Sequence, residues 1–224
     1  METLVEVPDE VSSRQAAALL QVGPAALSLV GAAELKPGAK VLVTGGRWGA
    51  GAGRRTAGAG GRRPRDGGGA RPGQASCGFC RGGADVVIGY QEFAGPVEVV
   101  FDGVGGEVGG AAFELLGPGG RFFAYGVPSG SVALIDPAEA ARRGVRVVGM
   151  EQVQFAPDTF RELAGQALRE AAAGRLVAEI GLEVPLERAA EAHAALEGRR
   201  LVGKALLLVS DQHGDAIAAP SLPR

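Results

Sequence analysis

Short apolar runs alternate with stretches of helical periodicity along most of the chain, and this pattern predicts an α/β protein. The apolar, β-branched runs predict strands at Lys40–Thr44, Asp85–Ile88, Val97–Phe101, Arg121–Tyr125, Val145–Val148 and Ala205–Val209. Stretches rich in helix-forming residues predict helices at Ser12–Leu20, Pro24–Ala33, Glu107–Leu116, Asp136–Arg143, Asp158–Ala173 and Leu186–Leu196. Since strands that alternate with helices pair in parallel, we expect a doubly wound parallel sheet covered on both faces.

Residues with capping or helix-breaking preferences set the ends of several predicted helices. Ser12 and Asp136 are expected to cap helix N-termini, and Pro137 stands at the first helical position after Asp136. The run Gly117–Gly120 is expected to stop the preceding helix before the next strand begins. The apolar side of the helix Asp158–Ala173 is predicted to consist of Phe160, Leu163, Leu168 and Ala171.

Glycine follows the ends of three predicted strands. These ends are Thr44-Gly45-Gly46, Asp102-Gly103-Val104-Gly105 and Tyr125-Gly126. Ligands of open parallel sheets bind at the carboxyl ends of the strands, and glycine lets a ligand approach the backbone closely. We therefore expect a ligand site where these three strand ends meet.

The overall composition is that of an ordinary globular protein and excludes several other classes. The 224 residues are 46% hydrophobic and 21% charged, with a net charge of −2. That charge provides no global basic field for nucleic acid, and two cysteines cannot form a disulfide scaffold. No apolar run reaches the roughly 18–20 residues of a membrane span, and no signal-peptide pattern follows Met1. The sequence thus predicts a cytoplasmic protein without membrane association.

One internal block departs from this composition. Residues Gly46–Gly83 contain 14 Gly and eight Arg, one Asp, and no Val, Ile, Leu or Met. They also contain the only tryptophan, Trp48, and both cysteines, Cys77 and Cys80. A segment without aliphatic side chains cannot offset its ordering entropy by burial, so we expect little regular structure in this Gly/Arg block.

Six segments on the two sides of this block occur in a recognisable order. They are VPDEVSSRQAAAL, LKPGAKVLVTGG, GADVVIGY, VEVVFDGVGG, LGPGGRFFAYG and LERAAEAHAALEGRRLVGKALLLV. In this order they resemble the medium-chain dehydrogenase/reductase superfamily, and most of all its zinc-independent quinone-oxidoreductase-like branch. The resemblance extends from Val7 to Val209, outside the Gly/Arg block.

The resemblance implies a division of the chain into four parts. Residues 1–34 are a helical lead-in from the catalytic domain, and residues 35–149 form a Rossmann-type cofactor domain in which residues 46–83 are irregular. Residues 150–209 are a C-terminal α/β segment belonging to the GroES-like catalytic domain, and residues 210–224 are a flexible tail. The resemblance also implies that the chain begins near the end of that catalytic domain, so that roughly the first third of a full-length member is absent.

The function implied by the resemblance is NADP(H)-dependent hydride transfer to a small quinone, enone or aldehyde, without zinc. The branch works mainly through orientation and cofactor chemistry, so no catalytic acid or base is assigned. The implied cofactor-binding residues are Thr44, Gly45, Gly46, Tyr90, Asp102, Gly103, Val104, Gly105, Tyr125 and Gly126. Arg199 and Lys204 are either surface charges or contacts to cofactor phosphate or ribose, and Phe155 is a candidate lining residue of the substrate site. A homodimer is compatible with the family.

The Gly/Arg block stands where the family has a glycine phosphate loop, a long apolar helix and a second strand. No G-x-G-x-x-G occurs in the sequence. One hypothesis is that the block is family sequence translated in a shifted frame of GC-rich DNA, with the frame regained near Ala84. Codons of Thr56-Ala57-Gly58 read one base later permit Gln-Leu, which resembles the family helix. On this hypothesis the chain binds cofactor weakly or not at all, as an incomplete, non-catalytic member.

Other interpretations of single features stay open. The block could be a flexible insert, or a nucleic-acid-binding segment of Arg-Gly type, although only Trp48 and Phe79 supply aromatic rings. The pair Cys77 and Cys80 has half the ligands of a tetrahedral zinc site, and His193 and His213 are far away in sequence, so we predict no bound metal. We expect His193 to be a half-buried structural residue rather than a base.

Overall fold

The computed structural model of the protein describes residues 4–45, 95–150, 156–198 and 201–209, and it confirms an α/β protein. In these ranges the strands are β1 (Val41–Thr44), β2 (Val97–Asp102), β3 (Leu116–Ala124), β4 (Arg146–Val148), β5 (Ile180–Pro185) and β6 (Lys204–Leu208). The helices are α1 (Ser13–Leu19), α2 (Val22–Ala33), α3 (Gly106–Glu114), α4 (Pro137–Arg142), α5 (Pro157–Ala172) and α6 (Ala189–Glu197). The Gly/Arg block and the expected strand Asp85–Ile88 lie outside the described residues, as does the expected tail.

The first four strands form one parallel sheet in the order β1-β2-β3-β4. The three strands predicted at Lys40–Thr44, Val97–Phe101 and Arg121–Tyr125 therefore lie side by side, as expected. The register places Val43 beside Phe101, and Phe101 beside Phe123. Because all four strands run the same way, their carboxyl ends meet at one edge.

Helices cover both faces of this sheet, which confirms the doubly wound arrangement. On one face α3 and α4 pack against alternate side chains of the central strands, among them Val100 and Phe122. On the other face α2 packs against Val99, Phe101 and Phe123. Full burial of one such side chain contributes roughly 1.5–3 kcal/mol, so both faces stabilise the sheet.

The boundary between α3 and β3 differs from the prediction. The helix ends at Glu114, and extended structure begins at Leu116 rather than at Arg121. Leu116 is buried and pairs with Val97, and the register shifts between Val97 and Val99 to admit the extra residues. The helix already ends before the run Gly117–Gly120, which forms the irregular start of the strand and not a separate turn that stops the helix.

A second, two-stranded parallel sheet is formed by β5 and β6. The predicted strand Ala205–Val209 corresponds to β6, whereas β5 was not predicted. Leu182 and Val184 of β5 are buried against Ala192 and Ala195 of α6. A short 3-10 turn, Leu186–Arg188, precedes α6, so the α-helix begins three residues later than expected.

The helices α1, α2 and α5 form a third packed layer. Gly23 lies so close to α5 that a Cβ there would stand 2.6 Å from the Cβ of Ala167. The buried face of α5 is Ala164, Ala167 and Leu168, while Phe160, Leu163 and Ala171 are half-buried. The four residues predicted for the apolar side of this helix are thus all buried or half-buried, and the structure adds Ala164 and Ala167 to that side.

Polar contacts cap helix α1 and attach it to a distant part of the chain. Ser12 caps α1 as expected, since its hydroxyl accepts a hydrogen bond from the Gln15 amide at 3.2 Å. The Gln15 side chain in turn pairs with the backbone of Ala178: its amide nitrogen donates to the carbonyl at 3.0 Å, and its oxygen accepts from the N–H at 3.1 Å. These bonds attach α1 to the chain that leads into β5.

Among the described residues, no single helix has both the length and the apolar character needed to cross a bilayer. Taken together, α1 and α2 are long and apolar enough for a span, but their axes are bent by 49° at the break between them.

Candidate functional site

The carboxyl ends of β1, β2 and β3 meet at one edge of the main sheet and form the candidate site. Thr44 closes β1, Asp102 closes β2, and Tyr125 directly follows β3. Thr44 and Asp102 are register partners, and Asp102 pairs with Ala124. Thr44 and Asp102 thus occupy equivalent positions on adjacent strands, and Tyr125 lies one residue beyond that position on the third strand.

Side chains join the first two of these strand ends. The Thr44 hydroxyl donates a 2.6 Å hydrogen bond to Oδ1 of Asp102, and both side chains are fully buried. The same hydroxyl oxygen accepts the N–H of Gly103 at 3.1 Å. One hydroxyl therefore connects the end of β1 to the carboxylate of the last residue of β2 and to the backbone N–H of the next residue.

The Asp102 carboxylate also organises the turn between β2 and α3. Its Oδ1 accepts the N–H groups of Val104 and Gly105, each at 3.1 Å, and Oδ2 shares the Gly105 donor at 3.1 Å. The turn opens α3, whose N-terminal N–H groups stabilise negative charge. A buried carboxylate is tolerated only when it is hydrogen-bonded in this way.

Tyr125 connects the third strand end to the other two. Its hydroxyl donates to the carbonyl of Thr44 at 3.2 Å, and its N–H donates to the carbonyl of Asp102 at 2.8 Å. The phenol ring lies over Gly103, where a Cβ would stand 2.5 Å from the Tyr125 hydroxyl oxygen. Position 103 is thus limited to glycine by the ring above it.

A second loop closes on the turn from the other side. Ser129 donates its N–H to the carbonyl of Val104 at 3.1 Å, and the Ser131 carbonyl accepts the N–H of Gly106 at 3.0 Å. Gly105, the N-cap of α3, has φ +76°, and a side chain at that position would overlap the Ser131 carbonyl. Glycine is required there for both its left-handed backbone conformation and its lack of a side chain.

Eight of the ten predicted cofactor-binding residues come together at this edge. They are Thr44, Gly45, Asp102, Gly103, Val104, Gly105, Tyr125 and Gly126. Gly46 and Tyr90 lie outside the described residues, and a cofactor role for any of the ten stays a prediction. Because Thr44 and Asp102 are fully buried, a ligand at this edge would not reach their polar side chains.

Several residues of the arrangement were missed in the sequence. Ser129 and Ser131 stand in the segment Pro128-Ser129-Gly130-Ser131, whose turn-forming composition signals a loop but not the turn it contacts. Gly109 was also missed, although its Cα packs beneath the Asp102 carboxylate. Nothing in helical periodicity distinguishes Gly109 from Gly110 beside it.

The other candidates singled out in the sequence lie elsewhere or outside the described residues. His193 is exposed on α6, so the expectation of a half-buried histidine was wrong. Lys204 opens β6 in the second sheet, where burial lowers the pKa of its ammonium group. Phe155 and Arg199 lie outside the described ranges.

The described residues do not provide a metal site. Nowhere in residues 4–45, 95–150, 156–198 or 201–209 do three or more His, Cys, Asp or Glu side chains form a group that could hold a metal ion. The oxygen atoms of Asp102 are occupied by N–H and O–H donors. The Asp102 carboxylate is therefore engaged within the protein and is not a free ligand.

Comparison with known proteins identifies relatives for most of the chain. The family model described as zinc-binding dehydrogenase matches residues 82–207. A curated bovine protein, quinone oxidoreductase-like protein 2 of Bos taurus, is 28% identical over 222 residues. That match covers 92% of this chain and 63% of the bovine protein, so the chain spans less than two thirds of that relative's length.

Solved structures share the fold. A mycobacterial quinone oxidoreductase in its native form is 26% identical, with a TM-score of 0.71 over 91% of this chain and 67% of that one. A structure of a mycobacterial protein complexed with NADPH gives a TM-score of 0.70, also at 26% identity, and covers 91% of this chain and 66% of that one. The Escherichia coli quinone oxidoreductase, complexed with NADPH, gives 0.70 at 22% identity over 90% of this chain and 67% of that one, a likeness of fold alone.

Proposed function

The chain belongs to the zinc-binding dehydrogenase family, with quinone-oxidoreductase-like relatives, and from this premise we propose that it is an NADP(H)-dependent oxidoreductase. The observation that carries the proposal is the meeting of three glycine-bearing strand ends at one edge of a doubly wound parallel sheet. This is the position where such sheets bind dinucleotides.

The described residues fit such a cofactor through their backbone. Gly45, Gly103 and Gly126 carry no side chains, which lets the three strand ends pack closely against one another. Val104 and Gly126 are only half-buried there, so an extended ligand could reach their backbone. We propose that Gly45 and residues 103–105 hold the part of the cofactor that crosses the strand ends. Tyr125 and Gly126 would then border the nicotinamide.

The proposed reaction is reduction of a quinone, an enone or an aldehyde. When bound, the reduced nicotinamide supplies the hydride. The contribution of this chain is orientation: the turn after β2 and the residues after β3 form a rigid border, since Tyr125 joins the ends of β1 and β3. Fixing two reactants in a productive geometry lowers a barrier by several kcal/mol without any acid or base.

The test separates binding from turnover. NADPH is titrated into the purified protein and followed by its fluorescence, and oxidation is then measured with a series of quinones, enones and aldehydes. Saturable binding with substrate-dependent oxidation supports the proposal. Saturable binding without oxidation favours the alternative of a non-catalytic family member, and the absence of binding at millimolar NADPH rejects the NADP(H) assignment.

The Gly/Arg block gives a second candidate function, binding of nucleic acid. Its eight arginines against one aspartate place a local charge of +7 on 38 residues. Phosphate binding by such a segment weakens steeply with salt. RNA affinity that falls with salt, and that disappears when residues Gly46–Gly83 are deleted, would support this function over hydride transfer.

A further inference from the structure

Three consecutive backbone N–H groups in the turn after β2 donate to side chains of the protein itself. The N–H of Gly103 donates to the Thr44 hydroxyl, and those of Val104 and Gly105 donate to the Asp102 carboxylate. In many dinucleotide sites, N–H groups at such a position bind the ligand. Here they are already bonded, so they determine the shape of the turn instead of contacting a ligand.

The shape of the turn places Val104 against the end of the first strand. A Cβ on Gly45 would stand 3.0 Å from a methyl carbon of Val104 and 3.2 Å from the carbonyl oxygen of Gly103. The turn and the β1 end thus form one continuous surface. Any movement of residues 103–105 would change the border of the proposed cofactor site.

Helix α3 contains two adjacent glycines, Gly109 and Gly110, and only Gly109 faces the Asp102 carboxylate. A methyl group on Gly109 would overlap Oδ2 of Asp102 and stand 2.6 Å from the Cβ of Ala133. On Gly110, the next residue, a methyl group would meet no atom within 4 Å. The missing side chain at position 109 is therefore what lets the carboxylate reach the turn.

We infer that Asp102 is a positioning residue: its carboxylate, held by Thr44 and accommodated by Gly109, fixes residues 103–105 in the conformation that receives NADP(H), without itself touching the cofactor. This inference rests on the proposed function. It assigns an indirect role to a residue that the family resemblance treats as a cofactor contact. The reason for the indirect role is that the side chains of Thr44 and Asp102 are fully buried and cannot touch a bound cofactor.

The experiment uses two pairs of matched variants in the full chain. Thr44→Val removes the hydroxyl but keeps the branched shape, and Thr44→Ser restores the hydroxyl. Gly109→Ala displaces the carboxylate without deleting a polar group, and Gly110→Ala makes the same substitution one residue later, facing open space. Each variant is examined by amide hydrogen exchange and by NADPH titration at a temperature where circular dichroism shows it to be folded.

We expect exchange at residues 103–105 to become at least tenfold faster in Thr44→Val and Gly109→Ala, after correction for global stability. The NADPH dissociation constant should rise at least tenfold in the same two variants. Thr44→Ser should recover most of the protection, and Gly110→Ala should stay within twofold of the wild type in both measurements. If Gly109→Ala does not fold, Thr44→Val with its serine partner still decides the question at Val104 and Gly105, whose N–H groups donate to the Asp102 carboxylate and not to the Thr44 hydroxyl.

Each remaining outcome contradicts a defined part of the inference. Unchanged exchange at residues 103–105 shows that the carboxylate does not fix the turn. Faster exchange with unchanged NADPH affinity shows that the turn does not serve the cofactor. If the wild type itself binds no NADPH, the proposed function fails and the cofactor role falls with it, while exchange alone still decides whether Asp102 holds the turn.

Discussion

The guanidinium group of Arg143 joins the end of one helix to the start of a strand. It donates to the carbonyls of Leu116 and Glu114, and it pairs with the Glu114 carboxylate at 3.2 Å. The same group lies 5.0 Å above the centre of the Phe113 ring, and only 14% of the side chain is exposed. The guanidinium group donates several hydrogen bonds and also stacks its planar face on an aromatic ring, and the ammonium group of a lysine cannot do both.

Arg143→Lys should therefore destabilise the protein by about 1–3 kcal/mol, the loss expected for a desolvated cation–π contact with its hydrogen bonds. Urea unfolding followed by circular dichroism measures the change. Arg142→Lys is the matched control, because that side chain is 72% exposed and only forms a surface pair with Glu139. Equal effects of the two substitutions would show that the contacts of Arg143 contribute nothing specific.

Lys204 provides a pH-dependent test at the same scale. Burial lowers the pKa of its ammonium group at the start of β6, so the folded protein binds this proton less tightly than the unfolded chain does. The charged lysine therefore costs stability below its folded-state pKa, and that cost disappears as the pH rises through its ordinary value of about 10.4. Lys204→Met should be more stable than wild type at pH 7.

The advantage of Lys204→Met should shrink as the pH rises from neutral toward about 10.4 and should vanish above it, because the wild-type lysine is then neutral in both states. Urea midpoints across this range measure it, with Lys36→Met, an exposed residue, as the control. An advantage that does not change with pH would mean that packing, and not the charge, distinguishes the variant.

At the scale of elements, α4 depends on its first residues. The Asp136 carboxylate accepts the N–H of Ala138 at 2.9 Å, and Pro137 occupies the first turn, as the sequence predicts. The helix has only six residues, so its intrinsic stability is small. It nevertheless buries Ala140 against the main sheet.

Asp136→Ala should lower the free energy of unfolding by about 1 kcal/mol, the usual cost of losing an N-cap. Chemical denaturation quantifies the loss, and Asp136→Ser should restore most of it by supplying another capping oxygen. Asp158→Ala is the control in α5, where no side chain caps the helix. A loss of the same size in the control would indicate a general effect of charge.

The elements that the sequence predicts well are those whose own residues determine them. Strand β2 follows from an apolar, β-branched run interrupted only by Glu98, and helix α4 follows from its cap. Strand β5 was missed because Gly181 and Pro185 disfavour strands locally, and pairing with β6 overrides them. The early start of β3 likewise depends on the pairing of Leu116 with Val97.

In the candidate site, too, local sequence predicts some features and packing between distant elements determines others. Glycines after strands indicate the edge where a ligand would bind, and Thr44, Asp102 and Tyr125 do converge there. The bonds of the Asp102 carboxylate to its turn and the space left by Gly109 depend on how α3 packs over β2. Such contacts between distant elements leave no periodic signal in the chain.

At the scale of the whole molecule, the supply of metal ligands is small. The full sequence contains Cys77, Cys80, His193 and His213 as its only cysteines and histidines. His193 is exposed on α6, and the other three lie outside the described residues. A tetrahedral structural zinc requires four such ligands in one place.

We therefore expect much less than one zinc ion per chain, despite the name of the family. Elemental analysis of protein purified without added metal or chelator tests this, with a known zinc protein treated in parallel. About one zinc per chain, lost together with Cys77→Ser and Cys80→Ser, would overturn the expectation and assign the pair as ligands.

The pairing of Gln15 with Ala178 has a consequence for how the molecule is made. These partners are 163 positions apart, so α1 leaves the ribosome long before the residues that hold it. Until then its apolar residues Ala18 and Leu19 have no partner from Ala167 or Leu176, with which they pack in the finished protein. During this interval of synthesis the apolar side of α1 lacks its partners from α5 and from the segment before β5. The nascent chain can then bind chaperones or aggregate through that side.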